Sequence, residues 1–63
     1  MDEREQIEAA IKTLMASVSL WGDILDEQRL ERNGYSAGKT RKIIAGKWRE
    51  INSLIDKLEA MTE

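Results

Sequence analysis

Ile7, Ile11, Leu14, Val18, Trp21 and Leu25 recur at alternating steps of four and three residues, the spacing that lays one apolar seam along a face of an α-helix. Ile44, Trp48, Ile51, Ile55 and Leu58 repeat the pattern in the second half of the chain. Between the two runs stands Asn33-Gly34, two residues that tolerate the left-handed backbone with which helices end. A chain that folds back there pairs Leu25 with Ile44, Trp21 with Trp48, Val18 with Ile51, Leu14 with Ile55 and Ile11 with Leu58. Every one of these pairs is centred between Gly34 and Tyr35, so the glycine and the seam register place the turn at one spot. The pattern predicts an all-α fold, an antiparallel two-helix hairpin. It forms one domain over 1–63, with helix 1 at about 3–32, a turn at 33–35, Ser36 as N-cap and helix 2 at about 36–61.

The stretch Asn33-Gly34-Tyr35-Ser36-Ala37-Gly38-Lys39-Thr40 has the flavour of a phosphate-binding loop. A P-loop needs four residues between its glycines and a buried strand before the first. Here three residues separate Gly34 from Gly38, and the charged run Asp26 to Arg32 precedes them. The stretch reads instead as a helix stop, a corner and a helix start.

A second apolar or small strip flanks the seam of helix 1: Ala9, Ala10, Thr13, Ala16, Ser17, Leu20 and Ile24. Helix 2 adds Ile43, Leu54 and Met61 beside its own seam. One antiparallel partner cannot cover two stripes, so a further surface must. A second copy that completes a four-helix bundle is the expected cover, with the small residues admitting close helix approach. The same strip, with Trp21, Leu20 or Ile24 as anchor, is also suited to docking on a different protein. The candidate dimer or partner interface is therefore Ala9, Thr13, Ala16, Ser17, Leu20, Trp21 and Ile24. Trp21 and Trp48 share one predicted layer, either as bulky core or with one ring left exposed as a binding anchor. Gly22 and Gly46 flank that layer, and glycine within a helix costs ~1 kcal/mol against alanine. Two at this level suggest that rings or another backbone need the room.

Composition narrows the chemistry. The chain has 63 residues with no cysteine and no histidine, which removes disulfides, the usual zinc ligands, thiol catalysis and the commonest general base. Carboxylates such as Asp23, Asp26 and Glu27 have no concave, water-excluding setting in a narrow hairpin. No catalytic, metal or cofactor residue is expected, and no small-molecule substrate. No apolar run reaches the ~18 residues of a membrane span, and the opening Met-Asp-Glu-Arg-Glu-Gln is too acidic for a secretory signal. A cytoplasmic protein is expected.

The net charge of −2 is unevenly placed. Residues 1–32 hold eight acids and four bases, whereas residues 39–49 hold Lys39, Arg41, Lys42, Lys47 and Arg49 with no acid. Bases at a helix start oppose the helix dipole, which makes Ser36, Lys39, Thr40, Arg41, Lys42 and Arg49 candidate contacts to an anion or to the phosphates of a nucleic acid. The hairpin register offers another account, in which Glu27, Glu31 and Asp23 of helix 1 pair with Lys42, Lys39 and Lys47.

The length, central turn and doubled seam resemble the small plasmid-encoded Rop hairpins, which dimerise into four-helix bundles and bind paired RNA loops. The likeness is architectural and shares no motif. The small hairpin phosphatases of sporulation signalling carry Ser-Gln-Glu-Leu-Asp on their second helix, which Ser53-Leu54-Ile55-Asp56 does not reproduce. From the sequence the chain is thus expected to be a homodimeric, non-enzymatic regulator or inhibitor that binds another protein, of the kind phages and mobile elements encode. The alternative is a Rop-like binder of RNA or DNA using the basic start of helix 2.

Overall fold

The computed structural model describes residues 2–61 and contains two α-helices packed side by side, α1 (Glu3–Leu30) and α2 (Gly34–Met61). Positions 1, 62 and 63 of the expected domain lie outside the described residues. Each helix has 28 residues, about 42 Å at the α-helical rise, which accounts for the long axis of the 46 × 17 × 11 Å molecule. The other two dimensions are those of two helices lying abreast and one helix deep.

Helix α1 starts where Asp2, in an extended conformation, accepts a hydrogen bond from the Glu5 backbone N–H at 2.8 Å, with Glu3 and Glu5 in the first turn suited to the positive end of the dipole. It ends in a Schellman arrangement. The Asn33 N–H donates to the Gln28 carbonyl (2.9 Å) and the Arg32 N–H to the Arg29 carbonyl (3.0 Å), satisfying carbonyls that the helix itself leaves open. The left-handed residue of this motif is Arg32, at φ 58°, and neither Asn33 nor Gly34 takes that role. Because the chain reverses one residue earlier than expected, Asn33 becomes the N-cap of α2. Its Oδ1 accepts from the Ser36 N–H at 3.2 Å and its carbonyl from the Ala37 N–H at 3.0 Å. Ser36, expected as the cap, sits three positions into the helix, and α2 begins two residues sooner than the sequence suggested.

Left-handed backbone costs an L-residue about 1–2 kcal/mol, a cost glycine escapes while losing more chain entropy. Replacement Arg32→Gly is therefore expected to stabilise the hairpin by about 0.5–1 kcal/mol. A thermal melt followed by circular dichroism should show the midpoint rising by a few degrees; a fall would mean that the arginine side chain holds the turn.

The seam of α1 is as its spacing predicts. Ile7 and Leu25 are buried and Ile11, Leu14, Val18 and Trp21 are half-buried. On α2 the buried line is Ala37, Thr40 and Ile51, flanked by half-buried Ile44, Lys47, Leu54, Ile55 and Leu58. Trp48 departs from the expected layer. It is 43% exposed, whereas Trp21 and Lys47 are half-buried, because the inner line of α2 runs through Ala37, Thr40, Ile44, Ile51 and Leu58 and Trp48 stands at its edge, about 60° from the middle. An added Cβ at Gly22 or Gly46 would meet no heavy atom within 4 Å, so nothing within the chain uses the room these glycines leave. The Thr40 hydroxyl crosses the seam to Gln28 Oε1 at 2.7 Å and also lies 3.0 Å from the Ser36 carbonyl. The midpoint of that pair is residue 34, half a residue from the centre that the seam register predicts.

Candidate interaction surfaces

A hairpin one helix deep has two broad faces, and the helical spacing assigns exposed side chains to each. Ile24 of α1 and Ile43 of α2, both 39% exposed, project to one broad face, together with half-buried Ser17 and Leu54. Leu20, 67% exposed, lies at the outer edge of this face with Thr13, and Ala9 and Ala16 continue round the back of α1. All three small residues are exposed, and the Thr13 hydroxyl is turned onto the Ala9 carbonyl at 3.0 Å, so this edge presents methyl groups and few free polar atoms. Trp21 lies on the seam side of α1 and is half-buried. Thr13, Ser17, Leu20 and Ile24 of the candidate strip thus share one flank of the rod with Ile43 of α2, while Ala9 and Ala16 lie behind it and Trp21 lies on the seam side.

The opposite broad face carries Trp48 and Met15, both well exposed, beside half-buried Ile55 and Gly22. Toward the turn this face opens into a cavity of about 240 Å³ lined by Arg29, Arg32, Asn33, Gly34, Ala37 and Arg41.

The basic residues expected to act together are dispersed. Arg41 lines the cavity. Lys42 and Arg49 are exposed, but both lie about 80–100° further round the α2 axis than Arg41, on its outer side. Lys39 leans over the Tyr35 ring, its Nζ 4.8 Å from the centroid, within reach of a cation–π contact. Ser36 is half-buried, and Thr40 is 3% exposed with its hydroxyl turned to Gln28 and the Ser36 carbonyl, so it presents no polar atom to a ligand at the surface. Arg29 and Arg32 were not among the expected anion contacts. In the sequence they are ordinary surface charges, and only the turn geometry carries them to Arg41.

The cross-helix ion pairs do not form. Among the described residues the Glu27–Lys42, Glu31–Lys39 and Asp23–Lys47 pairs do not close to a salt bridge, while Arg4 and Glu8, one helical turn apart, approach to 3.2 Å. Exposed pairs are worth only ~0.2–1 kcal/mol and must order two long side chains, so register complementarity alone does not bring them together. No group of three or more histidine, cysteine, aspartate or glutamate side chains among the described residues is placed to hold a metal ion. Among the described residues no helix is long and apolar enough to cross a membrane.

Fold and surface together define the chain as an all-α antiparallel helical hairpin with an apolar flank and an arginine-lined end. No protein-family model matches it, and no curated protein or solved structure is significantly similar to it.

Proposed function

We propose that this chain is a small, non-enzymatic, cytoplasmic regulator or inhibitor of the kind phages and mobile elements encode. It pairs with a second copy across the flank of Ser17, Leu20, Ile24 and Ile43 to make a four-helix bundle, and it binds another protein on the surface that the pairing leaves open. The observation that carries this reading is the accessible surface. A compact monomer of 7.2 kDa exposes about 4,100 Å² by the usual scaling with mass, whereas the hairpin exposes 4899 Å². The excess, about 800 Å², equals what one partner contributes to a standard protein interface. A second copy is the cover that needs no other ingredient, since a two-fold axis matches the flank to itself. Sedimentation equilibrium of the purified chain tests the pairing, with an expected mass twice 7.2 kDa at micromolar concentration. A single-chain mass at every concentration would remove the reading.

The nucleic-acid alternative keeps the exposed bases Lys39, Arg41, Lys42 and Arg49. It is weaker, because these bases do not share one face and Thr40 is withdrawn into the seam.

A further inference from the structure

The cavity at the turn gathers three arginines and no carboxylate: Arg29 from the last turn of α1, Arg32 from the left-handed turn position and Arg41 from α2. Among the described residues none of the three makes a salt bridge. Asp26, one turn before Arg29 and exposed, does not close to a salt bridge with it, and Glu27 and Glu31, each two positions from Arg29, lie about 200° round the helix and face away from it. Three like charges that share one space repel each other, and with no acid of the chain among them an external anion is the species that neutralises the site. Guanidinium groups remain charged throughout the accessible pH range and offer planar forks of donors that match the oxygens of phosphate. The volume, about 240 Å³, lies below the ~300–1,000 Å³ of pockets that enclose whole small molecules. It suits one charged group, with whatever carries that group remaining outside.

We propose that Arg29, Arg32 and Arg41 form a binding site for a single phosphoryl dianion, as free phosphate or as a phosphorylated side chain. A phosphodiester backbone carries one charge per phosphate and is followed by bases spaced along a groove. Here the three arginines line one cavity, and Lys42 and Arg49 lie round the outer side of α2. A phosphomonoester carries about −1.5 to −2 at neutral pH, the better match to three guanidinium groups. The site lies wholly within one chain, so it does not depend on whether the hairpin pairs.

Calorimetric titration of the full chain with sodium phosphate at constant ionic strength tests the site, with sodium chloride as comparator. Saturable millimolar binding is expected near neutral pH. It should weaken several-fold at about pH 5, where phosphate is a monoanion, and about tenfold or more in both Arg32→Gly and Arg41→Gln. Arg32→Gly places glycine at a backbone angle that favours it, and circular dichroism on the same samples separates loss of the site from loss of the fold. A short phosphoserine peptide that binds more tightly than free phosphate would assign the ligand to a phosphorylated protein, and equal binding would assign it to phosphate itself. Binding no stronger than chloride, or undiminished in both variants, would overturn the proposal. So would salt-sensitive capture of RNA lacking terminal phosphates that survives both substitutions.

Discussion

Replacement of Ile51 by alanine is expected to destabilise the hairpin more than any other single truncation to alanine. Ile51 has no exposed surface and is the one large side chain among the described residues buried completely. It lies at the middle of the seam, where neither the turn nor the fraying ends can relax to fill a vacancy. Removal of a buried isoleucine down to alanine costs about 2–5 kcal/mol in transfer free energy and cavity. A chain of 63 residues has about 3–9 kcal/mol in all, so the loss is between a quarter and the whole. Urea denaturation followed at 222 nm should place the midpoint of Ile51→Ala far below that of wild type, while Ser53→Ala, two residues away and exposed, should leave it nearly unchanged. Equal midpoints for the two variants would mean that the seam does not hold the fold together.

The second large effect is expected on association. Ile24→Asp sets a carboxylate in the centre of the proposed interface, where burial without a partner costs several kcal/mol. The dimer dissociation constant should rise at least about a hundredfold, which corresponds to about 2.7 kcal/mol. Helical content should persist, since Ile24 already lies 39% exposed in the single chain and aspartate differs little from isoleucine in helix propensity. Met15→Asp, on the opposite broad face, is the control and should leave the mass unchanged. Equal association of both variants with wild type would move the interface elsewhere. Dissociation by Met15→Asp alone would place it on the tryptophan face.

The hairpin and the inner line of α1 were legible in the sequence because helical periodicity is a property of spacing, and spacing survives whatever the side chains do. The position of the turn was legible to within two residues. Its chemistry was not, because Arg32 occupies a conformation for which asparagine or glycine is the usual occupant, and the adjacent Asn33-Gly34 draws the reading to itself. Trp48 was misplaced for a different reason. It and Lys47 stand about 100° apart, one at each border of the seam, and hydrophobicity favours the tryptophan, whereas Lys47 falls nearer the middle of the line through Thr40, Ile44, Ile51 and Leu58. The expected ion pairs failed because register fixes backbones and leaves long side chains free. The arginine cluster had no local signature at all. Its members lie 3 and 9 residues apart in sequence and come to line one cavity only through the turn.

One contact has a bearing on how the chain avoids misalignment. Two apolar seams with matching periods can slide past each other by a full turn at little loss of greasy contact, which would give several hairpins of similar free energy. The threonine hydroxyl at position 40 and the amide at position 28, joined at 2.7 Å, break that degeneracy. A slipped alignment would lose this bond across the seam and leave the hydroxyl only the Ser36 carbonyl of its own helix, and one such bond contributes about 0.5–1.5 kcal/mol. The pair thus acts as a key in a slot, selecting one alignment of the two helices and with it the cavity that the three arginines line.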